Sequence, residues 1–261
     1  MNALKIAATG MHAQQMRVEV IANNLANMNT TAYNARRAEF ADLHYQQVQQ
    51  AGTISASTGA MLPVGVQLGM GVRPSAVMMN VEQGALAMTG NDLDIAIEGN
   101  GYIEVGLPSG ISGYTRDGAL KLTGDGQIVT AEGFPIIPDI TIPDGTKSIS
   151  INGEGEVYAY FDDQIEAELL GQITLATFTN EAGLEATGSN VYLETAASGA
   201  AQVGAAGADG RGTFRQGYLE GSSVDAVREI TELIEAQRGY ELNAKVITAA
   251  DQMLGATTQI R

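Results

Sequence analysis

The chain contains no cysteine and no tryptophan, and its only histidines are His12 and His44. Without cysteine there are no disulfides, thiolate metal ligands or cysteine nucleophiles, and two histidines leave little imidazole for acid–base chemistry. Aromatic residues make up only 5% of the chain, which removes the usual anchors of small-molecule pockets. The composition therefore argues against an enzyme, and we expect no metal and no cofactor.

Long hydrophobic runs are also missing. No stretch approaches the roughly 18 apolar residues of a membrane-spanning helix. Residues 1–10 have neither the apolar core nor the cleavage site of a secretory signal. We therefore expect no membrane insertion and no cleaved signal peptide.

Positive charge is scarce, with 14 Lys and Arg against 30 Asp and Glu, a net charge of -16. The imbalance lies in the middle of the chain, where residues 51–221 carry six positive and 21 negative side chains. Such a surface repels a phosphate backbone, so a nucleic acid partner is not expected. The nearly neutral ends suit segments that pack against copies of themselves.

Both ends of the chain show helical periodicity. Apolar residues recur at helical spacing near the start, which predicts a helix over about residues 3–27. Near the other end, four residues fall seven apart in a coiled-coil-like stripe. Ser222, with Asp225 three residues later, predicts that this helix begins at Ser222 as its N-cap.

The two stripes could bury against the rest of the chain, or they could meet other copies of it. A pair of helices in one chain would leave half of each apolar surface in water, which favours self-assembly. The predicted self-assembly residues are Met11, Val18, Ile21, Leu25, Ile230, Leu233, Tyr240, Ile247 and Leu254.

Short strands and turns are predicted between the helices. Asp94–Glu98 and Tyr102–Val105 flank a Gly-Asn-Gly turn and predict a hairpin. Further strand-like runs cover 119–122, 127–130, 148–151, 156–161 and 172–178.

These patterns predict an α+β fold with a mostly antiparallel β-domain. The helical assembly domain comprises residues 1–31 and 222–261, an extended linker rich in Gly, Ser and Gln covers 32–80, and the acidic β-rich domain covers 81–221.

Several motifs resemble those of bacterial flagellar basal-body rod and hook proteins. VIANNLAN at 20–27 with NTTAY at 29–33 is similar to their N-terminal motif. AIEGNGY at 96–102 with YTRDG at 114–118 is similar to the core of their β-domain, and IEAQRGYELN at 234–243 to their C-terminal helix. Segments 7–11, 65–74 and 193–199 most resemble the distal rod branch, with a proximal rod or hook-type axial subunit as the alternative.

The resemblance implies a non-enzymatic axial subunit that is exported unfolded by the flagellar type III apparatus. Its terminal helices would form the inner tube of a drive shaft that crosses the periplasm, with the β-domain facing outward. The partners it implies are copies of this chain, proximal rod proteins, the hook protein, the surrounding ring proteins and the export apparatus.

The resemblance also singles out the segment from Tyr45 to Pro63, which includes Gly52 and Gly59. Distal rod proteins carry a stretch here that hook proteins typically lack, which implies a rod-straightening segment. Two positions depart from the family pattern. Ala32 stands where glycine is usual, at a cost of about 1 kcal/mol if the turn needs a positive φ, and Gly239 stands where alanine is common.

One alternative belongs to another class of protein. Asp92 and Asp94 could bind Ca²⁺, and Glu154 and Glu156 could act as paired carboxylates on a glycan. A Ca²⁺- or glycan-binding β-domain with oligomerisation helices would then result. Turn chemistry explains these residues more simply, because no complete metal loop or aromatic sugar platform accompanies them.

Overall fold

The computed structural model describes residues 2–50, 64–162 and 166–259. The chain divides into two compact units. The helical unit comprises Met1–Ala26, Arg36–Met78 and Asp225–Arg261, and the β unit comprises Asn27–Ala35 and Met79–Val224. The predicted α+β fold is confirmed by two helices at the ends of the sequence and a central β-rich region.

The helical unit is built on an antiparallel pair of helices, α1 (Asn2–Ala26) and α2 (Ala226–Gln259). A Cβ added at Gly10 would lie 2.9 Å from Asn243 Oδ1, whereas Arg17 reaches Glu232. Later positions on α1 thus meet earlier positions on α2. Because α2 has 34 residues and α1 has 25, this register carries the end of α2 past the start of α1.

The prediction that Ser222 caps α2 was wrong. The helix begins at Ala226, and Asp225 Oδ1 accepts hydrogen bonds from the backbone N–H groups of Val227 (2.9 Å) and Arg228 (3.3 Å). Ser222 Oγ accepts a bond from Val224 in the turn before it. A carboxylate satisfies the free N–H groups and also interacts favourably with the positive end of the helix dipole.

The range predicted as an irregular linker contains regular strands. β1 (Arg36–Asp42) pairs with β4 (Val72–Met79). Between them, β2 (Tyr45–Gln49) pairs antiparallel with β3 (Val66–Gly69). Backbone hydrogen bonds build these ladders without apolar alternation, which is why the periodicity did not show them. Tyr45 starts β2, whereas Gly52, Gly59 and Pro63 lie outside the described residues.

The β unit contains the remaining strands and a single 3₁₀ turn among the residues that the structure describes. The strands are β5 (Leu86–Met88), β6 (Ile95–Glu98), β7 (Tyr102–Gly106), β8 (Ser112–Thr115), β9 (Lys121–Leu122), β10 (Ile128–Val129), β11 (Thr146–Ile151), β12 (Glu156–Phe161), β13 (Glu168–Gln172), β14 (Thr174–Thr177), β15 (Glu185–Gly188), β16 (Val191–Leu193), β17 (Gln202–Ala205), β18 (Thr213–Gln216) and β19 (Tyr218–Glu220). The 3₁₀ turn spans Glu181–Gly183.

The largest sheet has six strands in the order β15-β16-β8-β7-β14-β17, and β11, β12 and β13 form a second sheet in sequence order. Two-stranded ladders join β6 to β18, β5 to β19 and β9 to β10. The pairings within the β unit are antiparallel, as predicted.

The predicted hairpin across residues 99–101 was wrong, although both of its strands exist. β6 pairs with β18, and β7 lies between β8 and β14. Gly99 and Gly101 have φ values of 106° and 143°, and their carbonyl oxygens bind the side chain of Arg116. The turn therefore directs the chain from one sheet to the next instead of joining two neighbours.

Strand alternation gives the six-stranded sheet two apolar faces. Ile103 and Leu175 belong to the main core, whereas Tyr102 and Ala176 belong to an aromatic cluster. The ring centroids of Tyr102 and Phe178 lie 5.9 Å apart in an edge-to-face arrangement, as aromatic pairs prefer. Among the described residues, no helix combines the length and apolar character needed to cross a bilayer.

Candidate assembly surface and buried polar joints

The contact between α1 and α2 uses small residues. Ala7 and Ala13 of α1 and Ala236 and Ala250 of α2 are buried. A Cβ added at Gly239 would lie 3.1 Å from Gln14 Cδ, which shows how closely that side chain approaches the backbone of α2. Small side chains therefore occupy buried positions on both helices.

Polar contacts match particular positions of the two helices. Arg17 Nη2 lies 3.3 Å from Glu232 Oε2 and 3.5 Å from Glu235 Oε2. Asn24 Nδ2 donates to Glu229 Oε1 over 3.2 Å. Half-exposed ion pairs contribute little stability. Their value here is positional, because a shifted register would separate all of these partners.

Asn24 connects the end of α1 to the start of β1. Its Oδ1 accepts a bond from the Arg36 N–H over 2.9 Å, and its Nδ2 donates to the Arg36 carbonyl over 2.8 Å. The Asn24 side chain is buried. Its amide makes the pair of hydrogen bonds with the Arg36 backbone that a neighbouring strand would otherwise make. Sequence reasoning placed Asn24 in a motif but missed this role.

Burial changes the pKa of Glu229, the second hydrogen-bond partner of Asn24. Desolvation raises the pKa of the Glu229 carboxyl above its usual range, and the hydrogen bond from Asn24 opposes this rise. Its Oε2 atom is buried and has no hydrogen-bond partner among the described residues. The polar end of the helix contact therefore carries an electrostatic cost.

The predicted self-assembly residues differ in exposure within one chain. Ile21 is buried, and Met11, Val18, Leu25, Leu233 and Ile247 are half-buried. Ile230, Tyr240 and Leu254 are exposed, at 47%, 45% and 42%. Leu254 is exposed because α2 has run past the start of α1 at that position.

Sequence reasoning missed a further set of exposed apolar side chains on α2. They are Val227, Ile234, Leu242, Val246 and Met253. With Ile230, Tyr240 and Leu254 they form what we call the outer α2 surface. The heptad spacing identified only one stripe of α2. Apolar residues on all sides of the helix were the sequence signal for the outer α2 surface.

The β unit contains a buried ion pair between Arg116 and Glu220. Arg116 Nε donates to Glu220 Oε2 over 2.7 Å, and the exposed fractions of the two side chains are 7% and 3%. The guanidinium also donates to the carbonyls of Gly101 (3.0 Å), Gly99 (2.8 Å) and Ile97 (3.4 Å). This fixed fork of donors explains an arginine at this position.

Glu220 extends the same network to both chain segments that enter the β unit. Its Oε1 accepts a bond from the Gly84 N–H over 2.9 Å, and its carbonyl accepts one from the Ala32 N–H over 2.9 Å. Ser223 Oγ accepts a bond from the Ala35 N–H over 2.9 Å. Ala32 has a φ of 52°, so the turn has a positive φ at this position although the residue is not glycine.

Two glutamine amides cover open strand edges in the β unit. Gln216 Nε2 donates to the Ile149 carbonyl over 2.9 Å, and its Oε1 accepts from the Ile151 N–H over 3.0 Å. Gln83 bridges the Ile97 carbonyl and the Gly99 N–H in the same way. Each amide takes the place of a strand at an edge.

Two of the four residues considered for metal or glycan chemistry, Asp94 and Glu156, have local side-chain partners. Asp94 Oδ1 accepts a bond from Asn91 over 2.9 Å, and Glu156 Oε2 accepts bonds from Asn152 (2.8 Å) and Tyr158 (2.7 Å). His12 and His44 are exposed. Within the described ranges, no three His, Cys, Asp or Glu side chains are grouped so that they could hold a metal ion.

Three family models match the chain in sequence order. They are the flagella basal body rod protein over residues 4–33, the D1 domain of flagellar hook protein FlgE/F/G over residues 96–159, and the C-terminal region of flagellar basal body rod FlgEFG protein over residues 215–260.

Full-length relatives agree with these matches. The chain is 52% identical to flagellar basal-body rod protein FlgG of Caulobacter vibrioides over the whole of both chains. It is 49% identical to the protein of that name in Agrobacterium fabrum and 34% identical to that in Bacillus subtilis, each over 97% of both chains.

Proposed function

The chain belongs to the flagellar basal-body rod protein family and is a structural subunit of the flagellar distal rod, and we propose that it self-assembles through its terminal helices into a rigid tube that transmits torque from motor to hook. No catalytic group is needed for this work. Torque would pass between subunits through packed side chains, which resist compression as protein interiors do.

The outer α2 surface is the observation that supports self-assembly. Its eight apolar side chains are at least 42% exposed in a single chain. Water contact at so many apolar residues of one helix is unfavourable, and burial against copies of the same helix would remove it. A repeated head-to-tail contact of this kind builds helical polymers.

Polymerisation of Tyr240→Asp and Leu242→Asp variants tests the proposal. Each variant places a charge on the outer α2 surface, so the monomer should keep its fold while polymer formation is lost. Gln237→Asp is the matched control, because it adds the same charge at an exposed polar position of α2. It should form more polymer than Tyr240→Asp or Leu242→Asp.

Electron microscopy and sedimentation measure the polymer, and circular dichroism of the monomer checks the helices. Ile247→Asp should behave differently from Tyr240→Asp, because Ile247 is half-buried and its replacement should also reduce the helix content of the monomer. Full-length polymers from both exposed-site variants would exclude this surface as the assembly site.

Within the flagellum, the partners we propose are the proximal rod proteins, the hook protein, the surrounding ring proteins and the export apparatus. We place the polymer across the periplasm and propose export without a cleaved signal. N-terminal sequencing of the protein from isolated basal bodies tests it, because a shortened N-terminus would contradict it.

A further inference from the structure

We propose that Asn100 is a site of spontaneous deamidation and that the fold protects Asn152 from the same reaction. These two residues are the asparagines that precede glycine in this sequence. Asn100 precedes Gly101 in the turn between β6 and β7, and Asn152 precedes Gly153 in the turn between β11 and β12. The pair allows the effect of structure to be compared within a single chain.

The reaction needs only the chain and water. The backbone nitrogen of the following residue attacks the asparagine Cγ, a C–N bond forms, and ammonia leaves. Water then opens the succinimide ring, giving aspartate or isoaspartate. Glycine favours the attack because it has no Cβ to obstruct the approach. The asparagine side chain must also be free to turn towards that nitrogen.

Asn100 meets these requirements. The residue is exposed, and within the described part of the chain its side chain makes no hydrogen bond. Only its carbonyl is engaged, accepting a bond from the Gly212 N–H over 2.7 Å. Gly101 is buried, but its N–H donates to no group among these residues, so no hydrogen bond of this nitrogen has to break before the attack.

Asn152 is held by three hydrogen bonds. Its Oδ1 accepts from the N–H groups of Glu154 (3.0 Å) and Glu156 (2.9 Å), and its Nδ2 donates to Glu156 Oε2 over 2.8 Å. This closed turn must open before Cγ can reach the nitrogen of Gly153. The need to break these bonds should slow the reaction at least about tenfold relative to Asn100.

Deamidation at position 100 would act on the Arg116 network. Residue 100 lies between Gly99 and Gly101, whose carbonyls both accept hydrogen bonds from Arg116. Isoaspartate adds a methylene group to the backbone between these two carbonyls, and either product adds a negative charge. The modification therefore changes the position of two partners of a buried arginine.

Peptide mapping of the full-length protein after incubation at mildly alkaline pH tests the proposal. Fragment-ion spectra should locate the conversion of amide to acid at Asn100, with at least about tenfold less at Asn152. In denaturant the two rates should converge, because both residues then precede glycine in an open chain. An intact Asn100, or equal rates in the folded protein, would overturn the proposal.

Two variants separate the causes. Asn100→Gln should abolish the reaction at position 100 without changing it at Asn152. Glu156→Ala removes the acceptor of the Asn152 amide and should accelerate deamidation there, while Asn100 reacts at its original rate. If Asn152 in Glu156→Ala reacts as slowly as in the parent protein, the hydrogen bond to Glu156 is not its protection.

Discussion

At the scale of single residues, buried charge has the largest energetic consequences. Arg116 and Glu220 are taken from water together, and carbonyl oxygens satisfy the remaining donors of the guanidinium. Such a pair contributes little net stability compared with apolar residues, but removal of one partner leaves the other charge buried and unpaired. The pair thus makes the β unit sensitive to changes at either residue.

Arg116→Met should lower the free energy of unfolding of the β unit by about 3–5 kcal/mol, because Glu220 would be left without its cation. Denaturant titration measures the loss. Lys147→Met is the matched control, since Lys147 and Asp162 form an exposed pair, and its cost should be at most about 1 kcal/mol. Equal losses in the two variants would contradict the role assigned to Arg116.

Tyr102 predicts a pH dependence in the alkaline range. Desolvation, strengthened by the nearby Glu181, raises the pKa of its phenol far above the ordinary value of 10.0. The unfolded chain loses this proton near the ordinary value while the folded chain keeps it. The free energy of unfolding should therefore fall as the pH rises above about 10.

Tyr102→Phe should reduce this alkaline loss of stability, although it also removes the hydrogen bond to Glu181. Thermal unfolding measured below and above about pH 10 gives the slope of stability against pH, which separates it from that general destabilisation. Tyr160→Phe, at an exposed position, should leave the slope as in the parent protein. A parent-like slope in Tyr102→Phe would assign the alkaline transition to another group.

Residue-level expectations from the sequence had different outcomes. The positive φ of Ala32 could be considered because the family pattern has glycine at this position. The role of Arg116 could not, since its partner Glu220 lies 104 positions further along the chain. The same holds for Asn24, whose polar amide inside an apolar helical stripe was the available signal.

At the scale of elements, the cap of α2 gives a direct comparison of two residues. Asp225→Ala should destabilise the start of the helix by about 1 kcal/mol, because two N–H groups lose their acceptor. Ser222→Ala should cost less, since its hydroxyl bonds only to Val224 ahead of the helix.

Amide hydrogen exchange of the first turn of α2 measures the difference between these variants. Faster exchange at Val227 and Arg228 is expected in Asp225→Ala. Faster exchange there in Ser222→Ala than in Asp225→Ala would restore Ser222 as the cap.

Helices were predictable from the sequence because their periodicity is local, and α1 and α2 lie close to the expected ranges. The strands that were predicted in the β unit are present, but others, including β1 to β4, were not predicted, and the one predicted pairing was wrong. β6 was assigned to its neighbour in sequence, whereas it pairs with β18. Strand pairing depends on contacts between distant segments, which periodicity does not contain.

At the scale of the whole molecule, the segment from Tyr45 to Pro63 carries the proposal of a straight polymer. Since β2 and β3 are paired, deletion of residues 51–62 tests it while leaving both strands in the chain. We expect polymerisation to persist through the helices, while the polymer gains curvature, because subunits could then slide past one another.

Electron microscopy of the isolated polymer measures that curvature. Replacement of residues 51–62 by a Gly-Ser sequence of equal length is the matched control and should also release curvature if specific contacts cause the straightness. A deletion polymer as straight as the parent would assign rigidity to the β unit.

The antiparallel register of α1 and α2 has a consequence for the architecture of the chain as a whole. Asn2 and Gln259 belong to one end of the helical pair, and Ala26 and Ala226, where the chain leaves and rejoins it, belong to the other. In topological terms, everything between them is an insertion into the loop of a two-helix hairpin. Insertions at such loops can change without altering the parent element. The residues between Ala26 and Ala226 can thus diverge in evolution separately from the two helices that flank them.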